Sequence, residues 1–174
     1  SSFYEKYHKR GVMISAVDLL KGIAVGAGIE NKTVEGANGG LDTNYEGKAR
    51  AAVDALLKEG YDFAYIHLEA PDEMGHQGSV ERKVQAIANM DQRILKHIRE
   101  AMDASGEDYR LLVLPDHPTP IRLRTHVAEP VPYLLYDSRK QESHSWHYNE
   151  REAAESGNRI SRGCDLMGYL FSED

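Results

Sequence analysis

The sequence predicts an α/β fold in which a mainly parallel sheet is flanked by helices. Short apolar, β-branched or aromatic runs alternate with longer amphipathic stretches along the chain, as expected of strand–helix units around a parallel sheet. Twice, at residues 61–68 and 111–114, such a run opens directly into a polar loop, EAPDEMGHQG and then PDHPTP. No internal repeat, long linker or low-complexity tract interrupts the alternation, and 174 residues is the size of one folding unit.

Residues 11–16 (GVMISA) predict a short strand and residues 17–27 (VDLLKGIAVGA) a helix, despite Gly22 and Gly26. Residues 28–42, rich in Gly and Asn, predict a loop with at most one short strand. Asp42 or Thr43 supplies an N-cap for a helix to Lys58, where Ala49, Ala52, Val53, Leu56 and Leu57 recur at helical spacing and Gly60 marks the stop. Residues 61–68 (YDFAYIHL) predict a strand that delivers a rigid polar turn shaped by Pro71, Gly75 and Gly78. Ser79 caps a long helix to about Met102, whose stripe is Val80, Val84, Ile87, Ile94, Leu95, Ile98 and Met102. Residues 111–114 (LLVL) predict a buried parallel strand. Residues 131–136 predict another, with Pro132 placing it at an edge or at its own first residues. A polar, mobile stretch over 137–151 leads to helical pieces near 150–156 and 164–170.

Twenty-one basic against 28 acidic residues give a net charge of −7, which removes the non-specific phosphate attraction of nucleic-acid binders and makes anionic membranes poor partners. No apolar run approaches the roughly 20 residues of a membrane helix, and the start, SSFYEKYHKRG, is too polar for a signal peptide. Cys164, the single cysteine, cannot form an internal disulfide. A cytoplasmic setting is expected.

Chemistry concentrates where strands end, because ligands bind beyond the carboxyl ends of strands in open α/β sheets. Asp72 and His76 follow the first of the two strand–loop units. Asp116 and His117 follow the second, flanked by Pro115, Pro118 and Pro120, and His126 comes nine residues after His117. Carboxylate and imidazole form a donor set for borderline divalent ions. Five donors exceed the roughly three that one catalytic zinc takes, and two ions bridging one phosphate use five or more. A lone DxxxH pair in a turn is ordinarily structural; joint placement after two strands is what raises these residues above that. His67 reads as a packed or supporting histidine, His97 as solvated, and His144 and His147 as surface residues. Glu69 and Glu73 read either as hydrogen-bond partners that orient a ligand or as ordinary turn carboxylates.

The strings ISAVDLLKGIAVGAGI, VEGANGGLDTNYEGKA, HLEAPDEMGHQG, LPDHPTPIRLRTH, EPVPYLLYDS and NEREAAESG, in this order over nearly the whole chain, resemble the archaeal type of cofactor-independent phosphoglycerate mutases. These are metalloenzymes of the alkaline phosphatase superfamily. Residues 139–147 are least like the family and read as an insertion. The resemblance implies one ion on Asp72, His76 and His126, and a second on Asp116 and His117 together with an aspartate and a nucleophilic serine that this chain does not show. It also implies that Lys21 contacts substrate, that the ions are manganese or zinc, with magnesium a further candidate, and that no organic cofactor is needed. Ser15 and Ser79 read as strand and cap residues, and Arg122 and Arg124 as solvated loop charges.

Residues 1–174 are therefore expected to be the C-terminal part of a phosphatase-like metal-binding domain, lacking the nucleophile segment and the cap domain; the Ser1-Ser2 start without a methionine fits processing, a cloning remnant or a fragment. The implied activity of the intact protein is interconversion of 2- and 3-phosphoglycerate through a phosphoserine. Competing readings are a related phosphatase or small-molecule phosphotransferase of the homoserine kinase kind, or an inactive assembly fragment. Half a sheet leaves an open strand edge, which predicts self-association.

Overall fold

The structure is a computed structural model that describes residues 1–140 and 142–173. The chain divides into two compact units, Ser1–Ser105 with Thr119–Thr125, and Gly106–Pro118 with His126–Asp174.

The first unit is built on a parallel three-stranded sheet in the order β2-β1-β3: β1 is Gly11–Ile14, β2 Glu30–Asn31 and β3 Phe63–Ile66. Gly11 pairs with Phe63 and Ile14 with Ile66, and all four β1 residues are buried, as an apolar run in a central parallel strand requires. The outer edge of β3 has no partner strand among the described residues. After the short α1 (Phe3–Tyr7), α2 (Asp18–Ala27) connects β1 to β2, and α3 (Tyr45–Leu57), which buries Ala49, Ala52, Val53 and Ala55, packs on β1 and β3.

The N-cap of α3 is Asn44, one residue beyond Thr43 and two beyond Asp42, the two expected caps. Its side chain accepts from the Gly47 amide at 2.9 Å and donates to the Glu35 carbonyl at 2.8 Å. A Cβ on Gly47 would lie 2.3 Å from that side chain, so the glycine makes the cap possible. Thr43 instead accepts from the Asn38 amide and closes the preceding loop.

A second correction concerns the expected polar turn. Ala70–Gln77 is a helix, α4. Pro71 is pre-set for a first turn, Asp72 and Glu73 complement the positive helix start, and Gly78, at φ +71°, stops it. Ala70 and Met74 pack on Ala86, with Leu41 against them.

The long helix starts at Ser79, whose Oγ accepts from the Arg82 amide, and runs as α5 (Val80–Met90), a π-helical turn (Asp91–Leu95) and α6 (Lys96–Ser105). Its apolar stripe is not one face. Ile94, Ile98 and Met102 are buried, whereas Val80, Val84 and Ile87 are each more than half exposed. A residue inserted at a π turn rotates everything beyond it by about 100°, so the two halves of the stripe diverge. The turn aims Arg93 at α3: the guanidinium grips Glu46 with two hydrogen bonds of 2.6 and 2.8 Å and lies over the buried Tyr45 ring.

In the second unit, β4 (Arg110–Val113) and β5 (Leu134–Asp137) form an antiparallel pair. The expected buried parallel strand at 111–114 is thus corrected: β4 is half-buried and pairs with no other strand among the described residues. The chain returns through residues 114–133 to lie beside β4, and Pro132 precedes β5, leaving its ladder intact. Arg110 and Asp137 are directly paired in register, and their ion pair measures 2.9 Å. The Arg110 guanidinium also reaches the Leu170 and Ser172 carbonyls, tying α8 (Leu166–Phe171) to β4. Hydrogen bonds from the Arg139 side chain and amide, with that from Arg110, hold the Asp137 carboxyl far below the usual carboxylate range. Helix α7 is Glu150–Glu155, and its Glu152 accepts from the exposed His147. No helix among the described residues is long and apolar enough to cross a membrane.

Candidate metal centre

Asp72 and His76 stand one turn apart on α4, so the helix itself puts both on one face. Their nearest approach is Oδ2 to Nε2 at 3.3 Å. Two ligand atoms of one tetrahedral ion, each about 2.0–2.2 Å from it, lie about 3.3–3.6 Å apart, so the pair is spaced to share an ion.

The tautomer supports the same use. His76 Nδ1 lies 2.9 Å from the Arg124 carbonyl, which can only accept. Nδ1 therefore carries the hydrogen, and in the neutral ring Nε2 presents a lone pair to a carboxylate oxygen. A proton on Nε2 would make the contact an ion pair, and a metal ion can take that proton's place between the same two atoms. A histidine whose second nitrogen donates to a carbonyl is the usual arrangement of a metal-bound imidazole.

Arg124 holds a left-handed backbone, φ 55°, rare for a residue with a side chain. Its guanidinium lies over Gly78, where a Cβ would come within 2.4 Å of Nε. The Arg124 side chain is exposed, as expected of a loop charge; its backbone carbonyl, which residue type does not reveal, meets His76 Nδ1.

Thr119, buried at 4 % exposure, donates through Oγ1 to Asp72 Oδ1 in a short hydrogen bond. Its carbonyl accepts from Lys83 Nζ at 2.7 Å. Neither Thr119 nor Lys83 is a candidate ligand, so donor type could not have flagged them. The available signal was Gly75 between Asp72 and His76, where a Cβ would lie 2.6 Å from the Thr119 oxygen.

At the helix start, burial and the nearby Glu73 and Asp72 carboxylates push the Glu69 carboxyl up, against the opposing pull of Lys48. Lys48 is 1 % exposed; burial pushes its ammonium down, partly offset by Glu69, and Nζ makes one long hydrogen bond of 3.5 Å to the His67 carbonyl. The His67 amide donates to the Ile14 carbonyl, continuing the β1–β3 ladder, and the residue is half-buried.

The remaining sequence-expected ligands lie in the second unit. The His117 amide donates to Asp116 Oδ1 at 3.0 Å, and the rings of His117 and His126 lie 3.7 Å apart, tilted by 32°. Asp116, His117 and His126 thus gather at the two ends of the excursion the chain makes through residues 119–125. Lys21 is on α2, 3.7 Å from Asp18 in a surface ion pair.

A family model described as the metalloenzyme superfamily matches residues 1–160. The chain belongs to the metalloenzyme superfamily. Membership implies divalent metal ions, and the parallel sheet flanked by helices is of the alkaline phosphatase type. Curated relatives in this superfamily include a 2,3-bisphosphoglycerate-independent phosphoglycerate mutase of Methanosarcina mazei, 45% identical over 98% of this chain and 43% of the relative. One of that name from Methanosarcina acetivorans is 46% identical over 97% of this chain and 42% of its own length. A solved structure of a Pyrococcus horikoshii protein superposes with a TM-score of 0.84 at 29% identity, covering 99% of this chain and 45% of that one. The chain spans about two fifths of the length of the curated relatives it matches.

Proposed function

We propose that this chain supplies ion-holding residues of a cofactor-independent phosphoglycerate mutase, an isomerase that interconverts 2- and 3-phosphoglycerate. The observation that carries the reading is the 3.3 Å approach of His76 Nε2 to Asp72 Oδ2, the spacing of two ligands of one ion, with Nδ1 turned to a carbonyl. The names of the 45–46% identical relatives supply the reaction.

In this reading Asp72, His76 and His126 hold one divalent ion and Asp116 and His117 contribute to a second, manganese or zinc suiting the oxygen–nitrogen donors best. When bound, such ions supply positive charge that offsets the transferring phosphoryl group and lowers the barrier for an attacking oxygen. The chain's own residues do the arranging. Arg124 keeps the His76 lone pair on Nε2, Thr119 occupies one oxygen of Asp72, and Lys21 is assigned to a substrate phosphate or carboxylate. No serine of this chain is assigned as nucleophile: Ser15 accepts from the Val17 amide and Ser79 caps α5. We place residues 1–174 in the C-terminal part of the phosphatase-like domain, working in the cytoplasm without nucleic-acid or membrane partners. The open edge of β3 supports self-association, which a monomer in sedimentation would contradict.

The test is metal analysis of the purified chain after manganese reconstitution, with Asp72→Ala and His126→Ala alongside. Bound metal that falls in both variants supports the site, and a chain that takes up no divalent ion refutes it. Interconversion of 2- and 3-phosphoglycerate by the full-length protein tests the reaction, and release of phosphate without interconversion assigns it to a phosphatase instead.

A further inference from the structure

We propose that Thr119 is a positioning residue that commits Asp72 to ligation through a single oxygen and thereby sets which divalent ions the site prefers. The inference rests on the ion-site reading above and concerns a residue that donates nothing to an ion.

The hydroxyl has little freedom. Pro118 and Pro120 fix the backbone on both sides of Thr119. Its carbonyl is held by Lys83 from α5 at 2.7 Å, and it approaches α4 so closely that a Cβ on Gly75 would lie 2.6 Å from the oxygen and 3.0 Å from Thr119 Cγ2. From this buried position the hydroxyl can only donate to the carboxylate it meets, because an ionised carboxylate only accepts. Asp72 Oδ1 is the oxygen it meets, while Oδ2 faces His76.

A carboxylate with one oxygen engaged by a buried donor presents the other alone. One-oxygen carboxylate ligation beside an imidazole suits borderline Zn²⁺, and also Mn²⁺, which takes oxygen donors but, being a smaller first-row ion than Ca²⁺, needs fewer of them. Ca²⁺ takes six to eight oxygens and gains from carboxylates that bind through both. Releasing Oδ1 therefore weakens the geometry for Mn²⁺ and improves it for Ca²⁺. Loss of a hydrogen-bonded supporting partner typically costs about 10–100-fold in metal affinity.

The experiment measures Mn²⁺ affinity by electron paramagnetic resonance, with Ca²⁺ as competitor, in the wild-type chain, Thr119→Val and Thr119→Ser. The expected result is a loss of at least about tenfold in Mn²⁺ affinity for Thr119→Val. The ratio of Mn²⁺ to Ca²⁺ affinity should fall with it, and the serine variant should recover both. A Thr119→Val chain that folds, by circular dichroism, and keeps the wild-type ratio overturns the proposal, because a purely structural threonine would cost stability without changing ion preference. A second measurement needs no variant to fold and no metal: in metal-free wild-type chain the Thr119 hydroxyl proton, shielded and hydrogen-bonded, should give a resolved proton resonance correlated with the Asp72 side chain. Its absence also overturns the proposal. A wild-type chain that shows the resonance yet takes up no Mn²⁺ refutes the ion-site reading instead, leaving the hold of Thr119 on Asp72 standing.

Discussion

Replacing Gly75 with alanine tests whether the close approach of Thr119 to α4 is as tight as the geometry indicates. Gly75 is inside the helix at an ordinary negative φ, so by helix propensity alone the substitution should stabilise by about 1 kcal/mol. The new Cβ, however, would lie 2.6 Å from the Thr119 carbonyl oxygen, 3.0 Å from its Cγ2 and 3.1 Å from Lys83 Nζ. The lysine end can swing away, but the carbonyl belongs to backbone flanked by two prolines and cannot yield by the several tenths of an ångström required. Forcing a methyl into packed structure costs about 1–3 kcal/mol, so the two effects sum to a net destabilisation of about 1 kcal/mol. Gly22→Ala in α2 is the control, since its Cβ meets nothing within 4 Å and only the propensity gain of about 1 kcal/mol remains. Urea unfolding in metal-free buffer should separate the two variants by about 2 kcal/mol in opposite directions, read from midpoints at constant slope. If Gly75→Ala matches Gly22→Ala in stability, the tight dock of Thr119 on α4 is wrong, and the positioning role assigned to that threonine loses its structural basis.

Three further outcomes follow from the same contacts. Ser79→Ala removes the N-cap of α5 and should lower stability by about 1 kcal/mol in thermal or urea unfolding. Glu69 and Lys48 are both displaced toward their neutral forms, Glu69 upward and Lys48 downward. The folded state therefore holds the Glu69 proton more tightly than the unfolded one, so the Glu69 contribution improves as pH falls from its raised folded value toward the ordinary glutamate range. Glu69→Gln should accordingly stabilise the chain at neutral pH and flatten that part of the profile; destabilisation at pH 7 would show that its pairing with Lys48 outweighs burial and repulsion. Asp137 is displaced the other way, so its contribution is present above the ordinary aspartate range and lost as pH falls toward the depressed folded value. Asp137→Asn should remove that acid limb, which near-ultraviolet circular dichroism of Tyr109 and Tyr136, whose rings lie 5.7 Å apart, can follow.

Local pattern made part of this molecule legible. The strands at Gly11–Ile14 and Phe63–Ile66 follow from apolar runs of strand length, and the Ser79 cap is written into its own helix start. The α3 cap was misjudged by one residue because the choice among Asp42, Thr43 and Asn44 is decided by Gly47, which leaves room for the asparagine amide. The stripe from Val80 to Met102 looked like one face because a π turn leaves no mark in hydrophobic periodicity. The strand at 111–114 looked parallel because apolar runs reveal burial, not direction, and the partner that makes it antiparallel arrives about 20 residues later.

The candidate site divides along the same line. Asp72 and His76 are four residues apart on one helix, so their meeting is local and their spacing could be read directly, even though the segment was expected to be a turn. What orients the pair comes from far along the chain. The carbonyl that fixes the His76 tautomer is 48 residues away and depends on Arg124 adopting a left-handed backbone; the hydroxyl that occupies Asp72 Oδ1 is 47 residues away and depends on Gly75 having no side chain. Donor residues can be listed from a sequence because their chemistry is intrinsic. Which oxygen and which nitrogen they turn toward each other depends on backbone groups and a threonine that carry no ligand signature, so the proposed ion preference, if the Mn²⁺/Ca²⁺ measurement bears it out, is encoded outside the donor residues.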